Sequence, residues 1–482
     1  MTHLIAAVYL LCTTMLAGYA LGQAYLLWCY FRTRHHAPAT PALPAVLPVV
    51  TVQLPVYNEK AVVARLLNAV LALKYPRHLL EIQFLDDSTD ETSAVIARLI
   101  APYVAAGWRI QHLRRPHRQG YKAGALAYGL AQARGAFIAI FDADFTPPSD
   151  FLLRTLPYLL ADTGLAMVQT RWGHWNADSN ALTAAQRLSM DAHFTLEQTA
   201  RARAGLLVPF NGTGGVWRAS AIDDAGGWSA ETLTEDCDLS IRAQLRGWRA
   251  LYLPDVVVKG EIPPQLAAYR QQQARWAQGN SECLRLHAPA LWRTPTLSLR
   301  QRVMATHQMG QYLPQVWMFV SLLLLPLLVL GDVSFSLAPL GVMSLIAPIM
   351  YLLSQRVLYR HLRHVWAFPV LALLGMGMTG RNTWAVLRAF LGLKGEFKRT
   401  PKFSHHWQES AYALPNYNAL PEVGLLAYSL WGVVLAYQHA SPFLPYLSLY
   451  ALAFALVVAW EAVDVWRLQH PRTVRPMRVH EG

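Results

Sequence analysis

Long apolar blocks and short alternating ones divide this chain into two kinds of structure. Residues 4–31 carry no charge, nor do 311–331 and 333–354, and each stretch is long enough to cross a hydrocarbon core of ~30 Å. Residues 422–440 and 443–466 are similar, with Glu422 and the Glu461/Asp464 pair marking their edges. Between the first and second blocks the rhythm shortens. VLPVVTVQLPVYN (46–58) reads as a buried strand ending in a turn, 59–74 has helical spacing, and EIQFLDD (81–87) is a second strand. A helix over 92–104, a strand over 108–115, a helix over 122–133 and a strand over 136–144 follow. Strands alternating with helices of this length predict an α/β domain with a mostly parallel sheet. Ligands of such sheets bind at the carboxyl ends of the strands, where Asn58, Asp86/Asp87 and Asp142/Asp144 fall.

The expected organisation is an anchor over 1–36, a Pro/Ala-rich linker over 37–47 and a water-soluble domain over 48–300. A membrane bundle over 301–466 and a basic tail over 467–482 complete it. Hydrophobic residues make up 54% of the 482 and charged ones 15%, too apolar for a wholly soluble protein. The formal charge of +13 raises nucleic acid as a partner, but the cations crowd the ends of the apolar blocks. Arg32 and Arg34, Arg356, Arg360 and Arg363, and the group from Lys394 to Lys402 are positive-inside flanks with affinity for anionic lipid; nucleic acid is not expected. Met1-Thr2-His3 supplies no basic start for a signal peptide, so the first block is read as a retained anchor. The chain is then a multi-pass inner (plasma) membrane protein whose 48–300 region faces the cytosol. Its four cysteines show no metal spacing.

The chemistry lies in ordered acidic clusters. Asp142 and Asp144, two apart at a predicted strand end, are expected to leave one face and hold Mg2+ or Mn2+ with open positions for phosphate. Asp86 and Asp87 end another strand; one suits a base or ribose hydroxyl, while Ser88 or Thr89 suits a helix cap. Lys122, at a glycine-flanked helix start, suits a phosphate. Glu235, Asp236 and Asp238 suit a helix N-terminus, and Asp236 also suits a general base. Arg275-Trp276 suits a phosphate and a sugar face, or equally an interfacial anchor.

Together, QLPVYNE (53–59), LDDSTDET (85–92), GYKAGAL (120–126), FDADF (141–145), FNGTGGVWR (210–218), TEDCDL (234–239) and QQARW (272–276) resemble family 2 glycosyltransferases of the cellulose-synthase type. The nearest likeness is to plant cellulose-synthase-like mannan and glucan synthases and their bacterial relatives. The resemblance implies a GT-A fold over about 50–300 and an inverting transfer from GDP-mannose or UDP-glucose. Asp86 and Asp87 would contact the nucleotide, and Asp142 and Asp144 the metal and diphosphate. Asp236 would be the base, with Lys122, Gln272 and Arg275 on the donor. Phe210, Asn211, Gly212, Glu235 and Trp276 would face the acceptor. Phe397–Lys402 resembles a gating loop over 394–402, with Thr400 and Lys402 on the nucleotide and Arg399 in place of the usual valine. That loop requires 366–380 to turn back or lie at the interface, leaving five spans.

Two acceptors are consistent with these motifs: a growing β-linked polysaccharide, which QxxRW and the gating-like loop favour, or a membrane glycolipid. A narrow bundle of five spans would need a homo-oligomer or an accessory subunit to form a channel. A transporter is disfavoured because no acid lies in the central part of a span, and a non-catalytic sensor because Asp236 and Trp276 are present.

Overall fold

A computed structural model of the chain describes residues 2–333, 341–395 and 419–469. Its central part is built on a seven-stranded sheet: β1 (Val50–Val56), β2 (Leu80–Asp86), β3 (Arg109–Arg114), β4 (Phe137–Ile140), β5 (Leu165–His174), β6 (Gly215–Arg218) and β7 (Arg249–Gly260). The order is β3-β2-β1-β4-β6-β5-β7, parallel except for β6, which runs against both its neighbours. The expected α/β architecture is therefore present, with three further strands that carry no strong alternation of their own.

Helices cover both faces, which is why the central strands β1 and β4 are largely apolar. On one face Val50, Val52 and Leu54 pack with Leu66, Ile96 and Leu156 from the helices Val63–Leu71, Thr92–Ala105 and Phe151–Ala161. On the other, Ile138, Ile140 and Trp217 meet Leu126 and Leu239 from Tyr121–Leu130 and Glu235–Leu245. Polar strand residues survive there because they pair: Thr51 donates to Glu81 at 2.6 Å, and Gln53 to Gln83 at 3.1 Å.

Two local expectations need correcting. The fourth strand stops at Ile140, not at residue 144, because the 211–214 loop takes over its pairing: Gly214 N–H reaches Ile140 O at 2.9 Å, and Asp142 N–H donates to Thr213 Oγ1 at 2.9 Å. Asp142 and Asp144 thus sit in a turn rather than on one strand face. Ser88 and Thr89 do not cap the following helix. They accept from and donate to Asn58, with Asn58 N–H to Ser88 Oγ at 2.9 Å, and so tie the ends of β1 and β2 together.

Among the described residues, five helices are long and apolar enough to cross a membrane: Thr2–Thr33, Leu313–Leu330, Val342–Tyr359, Leu420–Gln438 and Leu444–Arg467. Four match expected blocks to within a few residues; the third runs over Val342–Tyr359 against an expected 333–354, of which 334–340 lie outside the described residues. The helix Phe368–Gly377 has ten residues, ~15 Å at 1.5 Å per residue, which is half a hydrocarbon core. It packs instead between Ala181–Ala192 and the last helix through Leu182, Leu374 and Val457.

The acids expected to mark segment edges have a second role. Arg270, on the helix Leu266–Arg293, is wholly buried and pairs with Glu461 at 2.8 Å and with Glu422, while Asp464 accepts the Leu266 N–H at 3.1 Å. Removing one partner of a buried ion pair costs about 3–5 kcal/mol, because the other charge stays desolvated. Arg270→Met should accordingly lower the thermal unfolding midpoint of the detergent-solubilised protein. Adding Glu422→Gln and Glu461→Gln should recover most of the loss, whereas a triple variant as unstable as the single one would exclude charge pairing as the cause.

Candidate functional site

The carboxyl ends of β1, β2 and β4, the 210–214 loop, and the starts of the helices Glu235–Leu245 and Leu266–Arg293 surround one cavity of about 620 Å³. Its wall includes Asp87, Lys122, Asp142, Asp144, Phe210, Asn211, Gly212, Glu235, Asp236, Gln272, Arg275 and Trp276. Every site residue expected from the sequence is therefore gathered there except three. Asp86 lies behind the wall, 1% exposed. Thr400 and Lys402, with the gating-like loop from 396 onward, lie outside the described residues.

Asp86 is committed to structure. It accepts from Ser88 N–H (2.9 Å) and Ser93 (2.5 Å) and pairs with His112 (2.8 Å). Burial alone would raise its pKa, but these hydrogen bonds outweigh it and hold the carboxyl down at about 2. Asp87 is the acid at the cavity, gripped through both oxygens by Arg115 at 2.9 and 2.5 Å. Arg118 stacks on Tyr57, 3.5 Å from the ring centroid, and also lines the cavity. The sequence reading missed both arginines; the signal was the basic run RRPHR after β3.

Lys122 stands at the centre. Its ammonium is 2.6 Å from Asp142 Oδ1 and 3.5 Å from Glu235 Oε1, and donates to Gly212 O at 2.9 Å. Burial would discharge it, but Asp142, Glu235 and Asp236 outweigh that and raise its pKa. Asp236 is pushed the other way: burial first and then the Glu235 charge raise its pKa to about 7, against the pull of Lys122, the Cys237 N–H and Arg275. A carboxyl poised near neutrality in a cleft is a general-base candidate. The third acid of that first turn is occupied elsewhere, since Asp238 pairs with Arg242 (2.6 Å) and His287 (2.7 Å).

Asp142 and Asp144 both border the cavity, and Asp144 keeps one oxygen on the Glu261 N–H at 2.9 Å. Among the described residues no group of three or more His, Cys, Asp or Glu gathers to hold a metal. Asp142, a third exposed, and the nearly buried Asp144 are the carboxylates that would hold Mg2+ or Mn2+, an ion that keeps much of its shell for phosphate and water.

From the acidic wall the cavity runs on between the apolar helices, past Tyr19, Gln23, Gln308, Gln311, Gln315 and Tyr351. These polar side chains stand in an otherwise apolar part of the wall, beside Met343, Ile346 and Met350.

A mostly parallel seven-stranded sheet with acids at its carboxyl edge is a ligand-binding α/β architecture that nucleotide-sugar transferases share with other folds. The model of the family described as "Glycosyltransferase like family 2" matches residues 48–279, so this part of the chain is a family 2 glycosyltransferase domain. The domain is 43% identical over 245 residues to glucomannan 4-beta-mannosyltransferase 1 of Oryza sativa subsp. japonica, covering 50% of this chain and 47% of that one. It is 41% identical over 260 residues to glucomannan 4-beta-mannosyltransferase 9 of Arabidopsis thaliana, covering 53% and 49%. The chain thus spans about half the length of the curated relatives it matches. A solved mannosyltransferase from Pyrobaculum calidifontis, in complex with GDP-Man and Mn2+, superposes with a TM-score of 0.57 at 21% identity, over 80% of this chain and 99% of its own, which shows the shared fold.

Gly212 has φ +86°, and a Cβ there would meet Asp236 Oδ2 at 3.0 Å. Gly212→Ala should destabilise the protein by roughly 1–2 kcal/mol from backbone strain alone. Thermal unfolding measures this, and an unchanged midpoint would show that the loop relaxes freely.

Proposed function

We propose that the chain is a membrane-bound, inverting hexosyltransferase that moves a sugar from a nucleotide-sugar to a growing β-linked polysaccharide. The observation that carries this reading is the single cavity in which Asp236, with its raised pKa, faces Asp142, Asp144 and the cations Lys122 and Arg275. The glucomannan 4-beta-mannosyltransferase relatives favour GDP-mannose as donor and a mannan or glucomannan as product; UDP-glucose is the alternative donor. The passage past Gln308, Gln311 and Gln315 supports a chain-like product over a lipid-linked sugar. Basic flanks at Arg32 and Arg34, and at Arg356 to Arg363, support a cytosolic catalytic domain.

Asp87 contacts the nucleotide, its orientation fixed by Arg115. Lys122 and Arg275 bear on the diphosphate, with Gln272 beside them. A divalent cation bound by Asp142 and Asp144 would supply charge neutralisation on the departing diphosphate. Asp236 takes the proton of an acceptor hydroxyl, whose oxygen then bonds to the anomeric carbon. The bond from that carbon to the diphosphate breaks on the opposite side, its electron pair leaving with the diphosphate, so an α-linked donor becomes a β-linked product. Trp276 holds the acceptor sugar by stacking, whereas Phe210, expected beside it, is 1% exposed and packs edge-on against Trp217 in the core, so it supports the 210–214 loop rather than touching the sugar.

Incubation of the protein in lipid nanodiscs with labelled GDP-mannose or UDP-glucose and Mn2+ or Mg2+ tests the whole reading. A high-molecular-weight product cut by a β-mannanase or β-glucanase is expected, while a small solvent-extractable glycolipid would overturn the polysaccharide assignment. Asp236→Asn should bind donor normally and lose transfer by at least ~100-fold, the range of a positioned base. Because the base acts deprotonated, transfer should rise with pH through a limb near 7; a rate that is flat or falling across that range would sink the base assignment.

A further inference from the structure

The helix Ala181–Ala192 passes into a five-residue π-helical turn, His193–Glu197, before continuing as Gln198–Arg203. Such turns inside helices occur mostly at functional sites. This one packs against the N-terminal helix Thr2–Thr33, and both of its ionisable residues line the cavity. None of the motifs read from the sequence includes it.

His193 Nδ1 lies 3.1 Å from Glu197 Oε2, and His193 Nε2 lies 3.3 Å from Asn211 Nδ2. The Asn211 amide oxygen already accepts from Gln198 at 2.5 Å, so its NH2 is the end that donates to His193. That assignment makes Nε2 the acceptor and places the imidazole proton on Nδ1, from where it is donated to Glu197. The carboxylate is thereby oriented through one oxygen. Its other oxygen has no hydrogen-bond partner among the described residues, and the side chain is 19% exposed. Burial opposes its charge, but His193 and the buried Arg201 outweigh that and keep its pKa below the usual value, so the group is an anion at neutral pH.

Position decides what such an anion can bind. Asn211 adjoins Gly212, whose Cα stands against the Asp236 carboxylate. A second link runs outward, since Glu197 lies within electrostatic reach of Arg201 and His307, and His307 stacks on the cavity residue Tyr19 with centroids 4.1 Å apart. The dyad therefore joins the wall of the proposed base to the polar passage between the helices. An oriented carboxylate with a vacant oxygen is a pure acceptor and recognises neutral hydroxyl donors.

We propose that Glu197, oriented by His193, binds the acceptor: its carboxylate accepts hydrogen bonds from hydroxyls of the sugar chain being extended, next to the hydroxyl that reacts. His193 is the positioning residue. The inference rests on the glycosyltransferase reading and deepens it by naming a group that registers the acceptor rather than the donor.

The test uses the full-length protein in nanodiscs, with labelled donor and short β-linked oligosaccharide acceptors. Glu197→Gln keeps the shape and removes the charge. It should raise the acceptor KM about 10- to 100-fold, the range of a hydrogen bond to a charged group, with donor KM and donor hydrolysis by water unchanged. An unchanged acceptor KM, or an equal rise in donor KM, would overturn the proposal in favour of a purely structural dyad. The wild-type protein gives a second readout that does not depend on the variant folding. At least one monodeoxy acceptor should bind markedly worse than its parent, and equal KM for every monodeoxy analogue would overturn the proposal. A wild-type protein that turns over neither nucleotide-sugar, with or without acceptor, would instead fail the glycosyltransferase reading itself.

Discussion

The ammonium of Lys122 holds the candidate site together. It bridges the turn after β4 through Asp142, the 210–214 loop through the Gly212 carbonyl, and the start of the helix Glu235–Leu245 through Glu235. Without a cation there, Asp142, Glu235 and Asp236 would repel one another across a partly buried cleft. Two unit charges 4 Å apart interact by about 1 kcal/mol in bulk water and by about 4 kcal/mol at an effective dielectric of ~20. Seclusion is what allows one lysine to balance several acids, and the balance is uneven. Asp142 and Glu235 lie within ion-pair distance, while Asp236 is left with a pKa near neutrality. The same arrangement that stabilises the wall thus leaves one carboxyl poised to exchange a proton.

A second constraint joins this wall to the apolar helices. The helix Leu266–Arg293 carries Gln272, Arg275 and Trp276 on the cavity, and two residues before Gln272 it buries Arg270 among Glu422 and Glu461. Asp464 holds the first N–H of the same helix. Two of the five candidate spans therefore grip the helix that presents the QxxRW residues, and the cavity continues from those residues into the bundle. Soluble domain and bundle share one polar interior rather than meeting at a flat interface. The π-helical turn at His193–Glu197, against the N-terminal helix, is the corresponding link on the other side.

Much of this was legible in the residues. Alternating strands and helices announced a parallel α/β sheet, and uncharged blocks announced five long apolar helices, because burial on both faces and immersion in lipid each leave a periodicity or a run length. The acidic clusters were legible too, since polar residues at the ends of apolar strands have few purely structural uses. Less visible were β5, β6 and β7 and the early end of β4 at Ile140. The 211–214 loop takes over the pairing there, and no local pattern records a hydrogen bond made seventy residues away.

By itself, then, the sequence determined the class of fold, the number of long apolar helices among the described residues and a dozen residues of the cavity wall. These follow from composition and spacing along the chain. Tertiary structure alone decided between neighbours: Asp87 rather than Asp86 at the cavity, Asp236 rather than Asp238 with a free role, Arg270 rather than Arg275 as the buried anchor. It also decided that His193 and Glu197 belong to the site. Each of those choices depends on which charge is left facing solvent once the others have been paired, and pairing is set by distances between segments far apart in the chain.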